Sequence, residues 1–510
     1  MRIRDAARRP PARVAIVTFV LLVAATSAWN LASPPGSGPD EAPHVVRAAS
    51  LARGQLVGDT DPVEGGGSRI VQVPAVIDVL NFLPACWKGH SEIDAGCAPA
   101  FLGTTTIIDA RTPAGAAPPL YYAIPAIALK IKASSAGAYL ARELSILVCA
   151  ALIASAVGLT RLVGSRPFLT AALFVSLTPT TLFISSVVNP SALEIASALL
   201  LWVAVLLLAT EPLSSPHRTT LTWASAVAAS TFVLSRQLSP LWLALVAITF
   251  LVLAGGRKAW AVVSTRPGAV ASAVVAVTGL AALVWLKVEA PLKSQNGLAR
   301  DISTSKALAS AAGNVGYVYQ TAVTGIGWLD FRIPQGPLLA YTIAAGTLLL
   351  VGIAAAGRRL RIAIAIMALA TVVLPILIEA SQYSRLGQTW QGRYSWPLAI
   401  GVLLMCGLAL DRSGLGAHRS VRSLVRFVIG LVAFANLLTF YFALRRYEVG
   451  VRGGVWFLGD AGWDPPLPAS AVLVLGLATV TAVFVLADRL VLRLFGSTAF
   501  PETEPVSAAE

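Results

Sequence analysis

Charge is what this 510-residue chain has least of: 13% of its residues are Asp, Glu, Lys or Arg, against 56% hydrophobic. It carries only 4 His, 4 Cys and 3 Met. So little charge excludes a disordered chain or a coiled coil, and so few cysteines exclude a small disulfide scaffold. Nucleotide signatures are missing as well. There is no Gly-x-x-x-x-Gly-Lys-Ser/Thr loop and no Gly-x-Gly-x-x-Gly after a strand, which excludes a nucleotide cofactor and energy coupling by a nucleotide domain. Neither His-Glu-x-x-His nor Gly-x-Ser-x-Gly occurs, so zincin and hydrolase chemistry have no anchor.

What the chain has instead is long apolar runs, with a mean hydropathy of +0.74. A surface this apolar aggregates in water unless a bilayer takes it up, and about 20 apolar residues span the hydrocarbon as a helix. Runs near 12–31, 139–162, 167–187, 190–209, 219–235, 237–254, 268–287, 337–356, 361–379, 395–410, 424–443 and 469–488 meet that length. The expected fold is all-α transmembrane: a polytopic helical bundle of about twelve spans, one integral membrane domain over residues 1–496. The apolar stretch 119–132 fits a further short or re-entrant helix. The small, acidic tail 497–510 reads as disordered and cytoplasmic.

The formal charge of +14 would suggest nucleic acid in a soluble protein. Here the basic residues sort by side. Arg2, Arg4, Arg8, Arg9 and Arg13 precede the first span. Arg161 and Arg166, Arg257, Lys258 and Arg266, Arg358, Arg359 and Arg361, and Arg412, Arg419, Arg422 and Arg426 lie in short loops that fall on the same face. Arg489 and Arg493 open the tail there. The positive-inside rule makes that face cytoplasmic, with both termini inside and the protein in the plasma membrane. Nucleic acid is therefore not an expected partner; membrane lipids are. The basic start, apolar run and Thr26-Ser27-Ala28 also fit a cleaved signal peptide. The functional-looking residues just beyond favour a retained first span.

The polar mass is on the other side. The first extracytoplasmic loop covers 33–138 and a second large one 288–336, with smaller segments at 380–394 and 444–468. Loops of this length are usually functional or separately structured. Cys86 and Cys97 share the first loop, where an oxidising exterior permits a disulfide; with His90 they also allow a zinc site, at a spacing that matches no common pattern. Cys149 and Cys406 lie in spans and read as packing residues.

The sharpest local feature follows the first span: Pro34-Pro35-Gly36-Ser37-Gly38-Pro39-Asp40-Glu41-Ala42-Pro43-His44, then Arg47. The Pro/Gly run ends the helix at the interface. Asp40 and His44 share a face if the turn that follows is helical. Two readings stay open: a carboxylate base or metal ligand over a membrane substrate, or a helix N-cap by Asp40 with Glu41 complementing the dipole. Three more outward clusters carry polar residues. They are Asn189 with Ser186, Ser191 and Glu194; Arg236 between Ser235 and Gln237; and Arg385 followed by Gln391, Gly392, Arg393 and Tyr394. Arg236, Arg385 and Arg393 stand where the positive-inside rule asks for none, and the planar guanidinium suits phosphate oxygens. Snorkelling to lipid headgroups is the alternative for each. In the second loop Lys293, Arg300, Lys306 and Arg332 mix with Tyr317, Tyr319 and Trp328, and Trp456 and Trp463 mark the last. These rings suit sugar stacking or interface anchoring alike.

Asp40, Glu41, His44, Arg47 and Gly54 resemble the acidic-pair-and-histidine signature of a bacterial membrane-protein family, domain of unknown function 2142. That family is similar to the GT-C class of polyprenyl-phosphate-dependent glycosyltransferases. Pro118-Pro119-Leu120-Tyr121-Tyr122, Thr178-Pro179, Val188-Asn189-Pro190, Ser235-Arg236 and Gln391-Gly392-Arg393-Tyr394 extend the resemblance from about residue 34 to 400. It implies a GT-C-like bundle with a catalytic acid in the first outer loop. The donor would be a polyprenyl-phosphate-linked sugar, and the acceptor an envelope glycan or glycolipid. Carried over, Asp40 is the base and Glu41 a helper or metal ligand, with either acid open as the base and the metal, a possible divalent cation, unknown. His44, Arg47, Asn189, Arg236, Arg385, Gln391, Arg393 and Tyr394 would bind substrate. A large C-terminal periplasmic domain, present in some members of the class, is not expected in this sequence. A lipid-linked-glycan transporter or flippase, and a non-catalytic envelope-assembly protein, are the rival functions.

Overall fold

In a computed structural model the described residues are 11–62, 68–289, 301–415, 419–459 and 462–496. Arg2 to Arg9, Lys293, Arg300 and the tail 497–510 lie outside them. The first apolar run forms α1 (Pro11–Leu31), and the Pro/Gly stretch turns the chain into α2 (Glu41–Ala52). A small antiparallel sheet follows, β1 (Asp59–Thr60), β2 (Arg69–Pro74) and β3 (Ile107–Thr112) in the order β1-β2-β3. Arg69 pairs with Thr112 and Pro74 with Ile107. This small sheet is confined to the first loop; the rest of the fold is the all-α polytopic bundle that was expected. Cys86 and Cys97 are joined by a disulfide in that loop, as one of the two sequence readings expects. The stretch near 119–132 is α3 (Pro119–Ile131), too short to span and buried through Tyr121 and Tyr122.

The bundle continues with α4 (Ser135–Leu159), α5 (Pro167–Val175), α6 (Pro179–Ser185), α7 (Pro190–Thr210), α8 (Ser215–Val233), α9 (Ser239–Val263) and α10 (Arg266–Glu289). Then come α11 (Thr304–Gly313), α12 (Val315–Thr324), α13 (Gln335–Ala355), α14 (Arg358–Leu386), α15 (Gly392–Arg412), α16 (Arg419–Val449) and α17 (Ala469–Gly496). Among the described residues ten helices are long and apolar enough to cross a membrane: α1, α4, α7, α9, α10 and α13 to α17. The pair α5–α6 makes an eleventh, bent by 68° at Ser176–Thr178. Side chains satisfy carbonyls freed at that break: Trp396 donates to that of Ser176 and Asn436 to that of Leu177, while the Thr178 hydroxyl donates to the Ala322 carbonyl. A broken helix inside a membrane needs such partners.

The expected twelfth span, near 219–235, falls in α8 and does not meet the apolarity test, because hydroxyl residues such as Thr219, Thr220, Thr222 and Ser225 dilute it. Its ends nonetheless sit at opposite ends of the bundle. Glu211, just before α8, pairs with Arg166 and Arg412. Arg236, just after it, donates to Ser191 at the start of α7. The helix therefore runs the length of its neighbour α7 with a more polar composition than its neighbours.

α7 is apolar on every side and buried along almost its whole length, which puts it at the centre. α15 packs against it, with the Trp202 indole donating to the Pro397 carbonyl. Outer helices show the opposite pattern: on α10, Val277 is 67% exposed and Leu280 63%. α1 packs inside the bundle, with Trp29 fully buried between Phe183 and Phe440.

Candidate active site

The turn after α1 is built by backbone that only certain residues allow. Gly38 stands so close to Val187 that a Cβ there would meet its Cγ2 at 2.8 Å. Asp40 then takes a left-handed conformation, φ 61°, at the N-terminus of α2. A non-glycine residue held there costs about 1–3 kcal/mol, and such outliers gather at functional sites. Its side chain makes no capping bond, so the N-cap reading of Asp40 is corrected. The carboxylate turns instead toward α15, where Arg393 donates to it at 2.6 Å.

Glu41 behaves differently although it is the next residue. It is 1% exposed and receives both forks of Arg142 of α4, at 2.6 and 2.7 Å. The backbone N–H groups of Gly38 and Val188 complete its shell. Arg142 also donates to the carbonyls of Asn30, Ser33 and Pro34, so it holds the whole turn. With its oxygens used in this way, Glu41 is a structural anchor; the expected role of helper or metal ligand is corrected. Sequence reasoning passed over Arg142 and Glu143, two ionisable residues inside an apolar run. That is the signal that should have found them, since such residues are rarely incidental in a span. Glu143 accepts from Ser27 and Asn30, tying α4 to α1.

Asp40, His44, Asn189, Arg236, Gln391, Arg393 and Tyr394 line one cavity of about 460 Å³ between α2, α3, α7, the α8–α9 turn, α14 and α15. Arg236 stacks on the Tyr394 ring with its guanidinium carbon 4.3 Å from the centroid, and its Nε lies 3.9 Å from Glu194. Asn189 donates to the Pro39 carbonyl and caps α7 through the Ser191 N–H. The Tyr394 hydroxyl accepts from Arg393 at 3.0 Å. Arg393 is 3% exposed, and its Nε and Nη1 have no hydrogen-bond partner among the described residues; nor has Gln391 Oε1. Buried donors without partners are uncommon, and guanidinium N–H groups are suited to phosphate oxygens.

Two titrating groups face this cavity from the loop. Burial would raise the Asp40 carboxyl, but the charge and hydrogen bond of Arg393, with the charge of Arg236, outweigh it and hold its pKa below the ordinary carboxylate value. Its side chain is still 48% accessible, from the cavity. His44 is pushed down to about 3, by burial first and then by Arg236 and Arg393 against the opposing pull of Asp40. It is a neutral imidazole at physiological pH, with Nδ1 2.8 Å from the Tyr122 hydroxyl. The sign is clear: below pH 6.5 the unfolded chain takes a proton that folded His44 refuses, so acid favours unfolding. The thermal midpoint of wild type should fall from pH 7 to pH 5 more steeply than that of His44→Asn.

Two expected substrate contacts are not brought in. Arg47 is fully buried behind the cavity and donates to the carbonyls of Gln55, Leu56 and Ala117; it braces the loop. Arg385 is exposed and does not line the cavity. Gln382, three residues earlier on α14, does. Gly392 explains how Arg393 is aimed. A Cβ at Gly392 would lie 2.1 Å from the Ala322 nitrogen, so only glycine lets α15 start against α12. Gly392→Ala should destabilise the protein by about 1–3 kcal/mol, read as a lower thermal midpoint, and should weaken any activity that depends on Arg393.

The described part of the second large loop holds two short helices, α11 and α12, packed on α14 and α15. Trp328, just beyond α12, donates to the Gly36 carbonyl, and Lys88 sits 3.5 Å over its ring. Arg446 of α16 holds the disulfide loop through the carbonyls of Trp87, His90 and Ile93. Among the described residues no group of three or more His, Cys, Asp or Glu is placed to hold a metal ion.

Fold and site together define a polytopic helical membrane protein with an acid–arginine cavity roofed by its first long loop. The chain belongs to the family described as predicted membrane protein, domain of unknown function 2142, whose model matches residues 21–402. That match takes in all the cavity residues named above. No curated protein and no solved structure matches the chain.

Proposed function

We propose that this protein is a membrane glycosyltransferase that moves a sugar from a polyprenyl-phosphate donor to an envelope glycan or glycolipid acceptor on the outer face of a bacterial plasma membrane. The observation that carries this reading is the convergence of Asp40, Arg236 and Arg393, from three distant parts of the chain, on one cavity. An acid to take a proton and two guanidinium groups to hold a phosphate are the two requirements of the reaction.

The acceptor hydroxyl gives its proton to Asp40 as its oxygen attacks the anomeric carbon. The bond from that carbon to the phosphate oxygen breaks on the opposite face, so the configuration inverts. The electron pair leaves with the polyprenyl phosphate, whose charge Arg236 and Arg393 stabilise. In the resting site Arg393 is bonded to Asp40; a donor phosphate competes for it and frees the carboxylate. Neutral His44 and Tyr122 shape the wall beside it.

A second cavity supports a lipid-linked substrate. It measures about 310 Å³ and is lined by apolar residues of α11, α12, α14 and α15, among them Val318, Ala322, Val372, Pro375 and Trp396. It shares Glu379 and Trp390 with the polar cavity. Its floor is buried, whereas Val372 and Tyr319 on its rim are exposed. Head and tail of an amphiphile would thus find adjoining sites.

The test is to incubate the purified protein in lipid with a radiolabelled polyprenyl-phosphate sugar and envelope glycolipids. Product formation supports the transferase. Vectorial movement of the intact donor without bond formation supports a flippase instead, and neither result leaves the envelope-assembly role.

A further inference from the structure

At the opposite end of the bundle from the Asp40 cavity, the first and last helices form a groove of about 290 Å³. α1 lines it with Arg13, Val14, Val17 and Leu21, and α17 with Ala482, Val485, Leu486, Arg489, Leu490 and Arg493. These spacings put each set on one helix face. Val14 and Leu490 form a buried floor, while Val17 and Val485 are exposed walls. The three arginines stand together at one end. From Arg13 to Leu21 the groove runs about 12 Å along α1, close to the depth of one bilayer leaflet.

The positive-inside rule asks for basic residues at this end but not for their convergence on one cavity. Among the described residues no acid lines the groove. Asp488, adjacent to Arg489, is turned to Arg426 at 3.0 Å. Arg161 adds to the positive field: burial, and then the charge of Arg493, push its guanidinium below the ordinary value. A cluster of like charges above an apolar trough calls for an anion that carries hydrocarbon.

We propose that this groove binds an anionic phospholipid of the adjoining leaflet, its phosphate beneath Arg13, Arg489 and Arg493 and one acyl chain along Val17, Leu21 and Val485. The site is independent of the transferase reading. Its ligand belongs to the bilayer on the opposite side from the donor.

The test is native mass spectrometry of the full-length protein in detergent, with phosphatidylglycerol or phosphatidylcholine added. Phosphatidylglycerol adducts should form at roughly tenfold lower concentration than phosphatidylcholine adducts. R13Q/R489Q/R493Q should lose that preference, and R358Q/R359Q, on the same side but outside the groove, should keep it. Ala482→Phe retains every arginine and fills the trough; it should also weaken phosphatidylglycerol binding about tenfold. Equal binding by the triple variant, or displacement of the lipid by millimolar inorganic phosphate, would overturn the proposal. Undiminished binding by Ala482→Phe would do the same, and that variant does not disturb the topology-setting charges.

Discussion

Asparagine in place of Asp40 should yield a folded, inserted protein whose transfer rate has dropped by about 10²–10⁴-fold, the usual loss when a general base is removed. The substitution is unusually clean at this position. Asparagine tolerates the left-handed backbone found there and nearly matches aspartate in shape, so the turn onto α2 should survive. Its amide oxygen still accepts from Arg393, so the arginine keeps a partner. What disappears is the negative charge and the proton acceptor. Steady-state transfer with the labelled donor, beside a thermal midpoint to show intact fold, is the measurement. Transfer at the wild-type rate would remove Asp40 from the chemistry. Acid should act through the same residue: its folded pKa is depressed, so the stability from the Arg393 pair is complete above the unfolded carboxylate pKa. It is lost as pH falls through the folded one.

Glutamine at the neighbouring position should give the reverse phenotype. Glu41 and Arg142 are both about 1% exposed and bonded through two forks. Breaking a buried pair leaves an uncompensated charge and costs about 3–5 kcal/mol. Glu41→Gln should therefore lower the yield of monodisperse protein on size exclusion and lower its thermal midpoint sharply. E41L/R142M should regain part of that stability, because an apolar pair avoids the stranded guanidinium. A Glu41→Gln protein as stable as wild type, but inactive, would reverse the roles of the two acids. The pair of experiments thus separates base from anchor at adjacent residues, which spacing alone left open.

Much of the bundle was legible because a bilayer imposes one strong rule, length of apolar run. The unbroken apolar run from Leu199 to Leu208 announces a buried helix without any context. The polar helix Ser215–Val233 and the strands at Arg69–Pro74 and Ile107–Thr112 were harder, because neighbouring elements rather than local pattern fix them. In the site, Arg236 and Arg393 were visible as arginines on the wrong side for topology. Glu41 could not be told from Asp40, because the difference lies in a partner 101 residues away. Arg47 is turned away from the cavity by the carbonyls of Gln55 and Leu56, just past α2, and of Ala117, which the fold brings round.

The Arg142 clasp also sets a timetable. The turn that carries Asp40 leaves the ribosome with the first helix, but the side chain that fixes it arrives with Ser135–Leu159, and Arg393 only with Gly392–Arg412. During synthesis the nascent acid turn has neither its clasp nor its counter-charge. The cavity's geometry is therefore completed late in synthesis, and a chain interrupted before residue 393 carries the Asp40 turn without its counter-charge.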